Sequence, residues 1–138
     1  MTERLLNILL VEDDEVDVMN VKRAFKLNNI LNPLYVAADG VDGLEMLRNG
    51  SVPRGRRIIL LDLNMPRMNG IEFLRELRKD PDLAPTPVVV LTTSNDDRDK
   101  IDAYNLNVAG YLVKPVTFPN FCESMAALNK YWSLVELP

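Results

Sequence analysis

Ile58-Ile59-Leu60-Leu61-Asp62-Leu63-Asn64-Met65-Pro66 decides how this chain is read. An unbroken aliphatic run fits a strand buried on both faces, as in a parallel sheet covered by helices. A carboxylate stands where the run ends, and Met65-Pro66 cannot continue the strand. Open parallel sheets bind their ligands outside the carboxyl ends of the strands, which places Asp62 where chemistry happens. Three other apolar runs also end in polar residues. Ile8 to Val11 leads into Glu12-Asp13-Asp14, Val88 to Leu91 into Thr92-Thr93-Ser94, and Tyr111 to Val113 into Lys114-Pro115.

Composition narrows the classes. With 138 residues, 47% of them hydrophobic, the chain is expected to form one domain over 1–138 around its own core. No apolar run approaches the ~20 residues of a membrane helix, and Met1-Thr2-Glu3-Arg4 lacks a signal-peptide pattern. Cys122 stands alone, so an internal disulfide framework is excluded and a cytoplasmic setting is expected. A net charge of -4 argues against a nucleic-acid surface. The one basic cluster, Arg54-Gly55-Arg56-Arg57, reads as a solvated loop. The chain contains 0 histidines, which excludes histidine catalysis, histidine-ligated metals and phosphohistidine on this chain.

Strand and helix patterns alternate throughout. The expected strands run from Leu5 to Val11, Leu34 to Ala38, Ile58 to Leu61, Val88 to Leu91 and Gly110 to Val113. The expected helices run from Glu15 to Asn28, Val41 to Arg48, Gly70 to Lys79 and Asp96 to Leu106, with a last one after Thr117. Asp39, Asn69, Ser94 or Asn95, and Thr117 are the expected caps. Right-handed crossovers then predict a doubly wound α/β domain with a five-stranded parallel sheet in the order 2-1-3-4-5, a flavodoxin-like arrangement.

That order brings Glu12, Asp13 and Asp62 together. Such carboxylates repel one another unless a cation lies among them or their pKa values rise. An all-oxygen ligand set with open positions suits Mg²⁺. Asp14 and Glu15, in contrast, are read as the acidic first turn of the first helix. Thr92 and Lys114 complete a phosphate site, a hydroxyl to donate to one phosphoryl oxygen and an ammonium to neutralise another. A cis Lys114-Pro115 bond would aim that lysine inward. A carboxylate nucleophile facing a metal and a lysine matches aspartyl-phosphate chemistry.

Val11-Glu12-Asp13-Asp14, Leu61-Asp62-Leu63-Asn64-Met65-Pro66 with Asn69-Gly70, Leu91-Thr92-Thr93 and Gly110-Tyr111-Leu112-Val113-Lys114-Pro115 resemble, in order and spacing, the receiver domains of two-component response regulators. The resemblance implies that Asp62 accepts a phosphoryl group from a phosphohistidine of a sensor histidine kinase, with no catalysis beyond its own phosphorylation and dephosphorylation. It implies that Glu12, Asp13, Asp62 and the backbone carbonyl of Asn64 hold Mg²⁺, and that Thr92 and Lys114 bind the phosphoryl group. Tyr111 would be the aromatic that switches with Thr92. Asn69 departs from the Asp of many members, and both residues cap helices. Leu91-Thr92-Thr93-Ser94, the long connection before the central strand and the Val135-Glu136-Leu137-Pro138 ending look most like single-domain regulators that partner bacterial and cyanobacterial phytochrome kinases.

The output is expected to leave by protein contact, through helix four, strand five and helix five. Phe121, Met125, Leu128, Trp132 and Val135 recur at heptad-like spacing. With an apolar tail over about 131–138, they predict a homodimer interface. Val16 and Met19 fall on the first helix opposite its core face of Val18, Val21, Ala24 and Phe25, and are expected to dock the kinase. Two other classes compete with this reading. A Mg²⁺-dependent phosphohydrolase with an Asp nucleophile often carries a second Asp two residues on, where this chain has Asn64. A receiver-like module that interacts without phosphorylation would not need Glu12, Asp13, Thr92 and Lys114 together.

Overall fold

A computed structural model describes residues 6–138. The expected start of the first strand at Leu5 lies outside the described residues. Five strands, β1 (Asn7–Val11), β2 (Leu34–Ala37), β3 (Arg57–Leu61), β4 (Val88–Thr92) and β5 (Gly110–Val113), form one parallel sheet in the order β2-β1-β3-β4-β5. The helices are α1 (Glu15–Leu27), α2 (Gly40–Arg48), α3 (Gly70–Lys79), α4 (Asp97–Asn105) and α5 (Phe118–Leu134). The register Val11↔Leu61 between β1 and β3 sets their carboxyl ends level, so the acidic pair after one strand meets Asp62 after the other.

Alternation along the strands builds two cores. Leu9, Val11, Ile59, Leu61, Val88 and Val90 face α2, α3 and α4, which supply Leu44, Leu47, Phe73, Leu77 and Ala103. Ile8, Leu10, Ile58, Leu60, Val89 and Leu91 face α1 and α5. Burial on both sides explains the unbroken aliphatic runs Ile8 to Val11 and Ile58 to Leu61 that follow the first residue of β1 and of β3. Among the described residues, no helix is long and apolar enough to cross a membrane.

Caps follow local chemistry. Asp14 Oδ1 accepts from the Val16 and Asp17 amides at 2.8 and 3.2 Å and starts α1. Asn69 and Glu72 form a reciprocal capping box on α3. The cap of α4 is Asp96, not Ser94 or Asn95, with its carboxylate 2.7 Å from the Arg98 amide. A carboxylate outcompetes its neighbours here because Ser94 turns its hydroxyl to Asp99 at 2.6 Å.

The apolar stripe on α5 requires a correction. Phe121, Met125, Leu128 and Trp132 are buried within the chain itself, Trp132 only 1% exposed. They pack on α1 and the sheet, with Trp132 edge-on to Phe25 at 6.2 Å between ring centroids. Asn28 adds a hydrogen bond to the Cys122 carbonyl at 2.9 Å. The stripe expected to meet a second copy is therefore the core face of a helix that continues to Leu134. Val135 is its half-buried C-cap residue.

Two further expectations give way. Arg57 is no loop residue: it lies buried in β3, and its guanidinium donates to the Val52 carbonyl at 3.3 Å. The Lys114–Pro115 bond is trans, since there are no cis peptide bonds among the described residues. Arg78, unnoticed in the sequence, joins α3 to the ends of two loops through the carbonyls of Leu106, Ala84, Thr86 and Asn107 at 2.7–3.1 Å.

Candidate functional site

The site grows from the ends of three adjacent strands and β5. Beyond β1, the Glu12 amide still pairs with the Ala37 carbonyl at 3.0 Å, and the Asp62 amide pairs with the Val11 carbonyl at 3.0 Å. These bonds extend the ladder by one residue and hold both side chains rigidly. Gly70 then brings α3 against the Asp62–Leu63 backbone, its amide donating to the Leu63 carbonyl at 3.0 Å.

Glu12, Asp13 and Asp62 each offer a carboxylate oxygen, and these oxygens lie within 4.8 Å of one another. Glu12 and Asp62 are buried, whereas Asp13 is open to solvent. Burial pushes the Glu12 carboxyl up to about 7, against the opposing pull of Lys114. Asp62 Oδ1 is buried with no hydrogen-bond partner among the described residues. A buried carboxylate oxygen without a donor is costly, and a cation shared with two neighbouring carboxylates removes that cost. The donor set is all oxygen and partly open to water, so the residues fit a hard divalent ion such as Mg²⁺. Asn64 lies just past β3, exposed, and with Asp13, Met65 and Asn69 lines an open cavity of about 520 Å³.

Lys114 approaches from the end of β5. Its backbone amide donates to the Thr92 carbonyl at 2.7 Å. Its ammonium donates to Glu12 and, at 2.8 Å, to Asp17 Oδ2. Among the described residues these are its ion pairs, and Asp62 is not one of them. Burial alone would lower the lysine pKa, but the hydrogen bonds it donates to Asp17 and Glu12 outweigh that and raise the value. The ammonium is thus fixed in its charged form beside the carboxylate cluster.

Thr92 is fully buried at the end of β4, its Oγ1 3.4 Å from the Ser94 amide. Tyr111 donates its hydroxyl to the Ser94 carbonyl at 2.9 Å while its ring packs on the α2–α3–α4 core. Thr92 and Tyr111 are therefore tied to the same short loop after β4. Val16 and Met19 stand 64% and 68% exposed on α1. Asp17 is the member that sequence reasoning passed over: its place in a first helical turn suggested only a favourable helix-end charge.

The chain is similar to known proteins over nearly its whole length. A family model for the response regulator receiver domain matches residues 8–126. Response regulator Rcp1 of Synechocystis is 37% identical over 135 residues, covering 95% of this chain and 92% of the relative. The probable methanogenesis regulatory protein FilR2 of Methanothrix harundinacea is 36% identical, covering 91% of this chain and 82% of the relative. The Mn²⁺-bound crystal structure of Rcp1 superposes with a TM-score of 0.84 at 36% identity, covering 98% of this chain and 99% of that one. The phosphorylated cyanobacterial phytochrome response regulator RcpA gives a TM-score of 0.87 at 31% identity, again covering 98% and 99% of the two chains. The chain therefore belongs to the response regulator receiver domain family.

Proposed function

We propose that Asp62 accepts a phosphoryl group, in the cytoplasm, from a phosphohistidine of a sensor histidine kinase. In that transfer the phosphorus–nitrogen bond breaks, a phosphorus–oxygen bond to the Asp62 carboxylate forms, and the imidazole takes up a proton. The observation that carries this reading is the buried Asp62 oxygen, without a hydrogen-bond partner among the described residues, beside Glu12, Asp13 and a charged lysine. Glu12, Asp13, Asp62 and the Asn64 carbonyl are the ligands proposed for Mg²⁺, which when bound neutralises charge on the transferring group. Thr92 is placed to donate to one phosphoryl oxygen and Lys114 to pair with another.

Relatives that partner phytochromes support a phytochrome-type kinase as the donor, the bacteriophytochrome response regulator AtBRR among them at 34% identity and a TM-score of 0.74. Val16 and Met19 are the proposed docking residues, apolar and exposed on the helix beside the site. The output proposed is a change on the α4–β5–α5 face, followed through Thr92 and Tyr111. There Ile101, Tyr104, Val113 and Val116 are exposed, and a homodimer through that face fits them.

Incubation with Mg²⁺ and acetyl phosphate tests the phosphoacceptor. A hydroxylamine-labile phosphoryl adduct is expected, and Asp62→Asn should abolish it; continuous phosphate release from many esters would instead indicate a hydrolase. Replacing Val16 and Met19 together by Glu should slow transfer from the kinase and spare acetyl phosphate. Equal slowing with both donors would reject the docking role.

A further inference from the structure

We infer that Asp17 is a positioning residue that latches the Lys114 ammonium away from Asp62 in the unphosphorylated chain. The inference rests on the phosphoacceptor reading and adds a residue and a control to it. Lys114 reaches the site from the β5–α5 connection, and Asp17 from the first turn of α1, 97 positions away in sequence. Their 2.8 Å contact is thus a tertiary bond between two elements that flank the acidic cluster.

A lysine ammonium has only three donors, and two are directed at Glu12 and Asp17. Asp62 Oδ1 lies in the same cluster with no donor among the described residues. The difference follows from burial. The Lys114 side chain is 8% exposed and needs a partner at all times, while the Asp17 side chain is 33% exposed and stays partly hydrated. Asp17 therefore draws on the lysine at small desolvation cost to itself.

A cation bound among Glu12, Asp13 and Asp62 would draw the Glu12 carboxylate to itself, leaving Asp17 as the remaining anionic hold on the ammonium. A phosphoryl group on Asp62 must then win Lys114 from Asp17. Because only the unphosphorylated state needs the Asp17 bond intact, removing it favours the state in which Lys114 faces the phosphoryl oxygens.

Beryllofluoride, a stable mimic of the phosphoryl group, gives the test at saturating Mg²⁺, with affinity read by fluorine NMR. Asp17→Asn is expected to bind it about three- to tenfold more tightly than the wild type, as suits loss of a largely buried ion pair with one partly hydrated partner. Glu15→Gln removes the same charge two positions earlier in the same helical turn without touching Lys114, and should stay within about twofold of wild type. In a Lys114→Met background, Asp17→Asn should change affinity by less than about twofold, because no ammonium remains to be released. Unchanged or weaker binding by Asp17→Asn, an equal gain in Glu15→Gln, or an equal gain without the lysine would each overturn the latch. Wild-type protein that fails to bind beryllofluoride would sink the phosphoacceptor reading and the latch with it. Wild-type binding with no effect of Asp17→Asn would sink the latch alone.

Discussion

Gly70 stands directly against the backbone of Asp62: a Cβ at position 70 would lie 2.5 Å from the Asp62 carbonyl oxygen and 2.7 Å from Leu63 Cα. Neither atom belongs to a flexible side-chain end, so the contact cannot be relieved by a rotamer change. The first residue of α3 can approach the backbone of the proposed phosphoacceptor this closely only because position 70 has no side chain.

Gly70→Ala should therefore push α3 from the Asp62–Leu63 turn. The expected loss is about 1–3 kcal/mol of stability in urea unfolding, typical of a contact that must be opened by backbone movement. Mg²⁺ affinity should fall with it, because the displaced turn carries Asp62 and Asn64. A substitution neutral in both measurements would show that the turn has slack.

Much of the fold is legible in the sequence. Ile58 to Leu61 announced a buried parallel strand because aliphatic residues on both faces have no other economical use, and Asp62 and Lys114 fell at strand ends for the same reason. The α5 stripe was misread because heptad-like spacing looks alike whether it covers a partner or its own sheet. Only the presence of Val21, Ala24 and Phe25 on α1 decides which. Asp17 and Arg78 were hidden differently. Their partners are Lys114 and the carbonyls of distant loops, and no local pattern reports a bond across the fold.

Trp132 gives a sharp check on the corrected role of α5. Its ring is buried against Phe25, and its indole nitrogen donates to Asn129 at 2.9 Å. Trp132→Ala should cost about 3–5 kcal/mol by calorimetry or denaturant unfolding. Truncation after Lys130 would remove this core residue as well as the tail, so the full-length variant is the cleaner experiment. A cost near that of a surface change would return Trp132 to the exterior.

Asp39 and Arg67 set an acid-side dependence of stability. Burial pushes the Asp39 carboxyl up, but the Arg67 hydrogen bond at 2.6 Å and the Asp42 and Val41 amides outweigh it and hold the value below the usual 3.8. A folded value below the unfolded one means the folded state binds this proton less readily. The contribution is complete above about pH 4 and is lost as pH falls through the folded value. Arg67→Gln should flatten that part of the stability profile between wild type and variant, and parallel profiles would contradict the pairing.

Asp62→Asn should raise the melting temperature of the metal-free protein. The substitution removes a charge from a crowded carboxylate cluster and gives the partnerless Oδ1 position a neutral amide. A gain of about 1 kcal/mol corresponds to roughly 3–5 °C for a domain of this size. Mg²⁺ should then stabilise the wild type more than the variant, which differential scanning calorimetry with and without the ion will show. Equal stabilisation of both would place the ion elsewhere.

The most direct measurement is the location of the phosphoryl group itself. After acetyl phosphate and Mg²⁺, borohydride reduction of an aspartyl phosphate leaves homoserine, which peptide mass spectrometry locates to a single residue. The expected result is conversion of Asp62 alone, dependent on Mg²⁺ and diminished in Lys114→Met and in Thr92→Ala. Conversion of another carboxylate such as Glu12 or Asp13, or of none while the protein remains folded, would contradict the assignment of Asp62 as the phosphoacceptor.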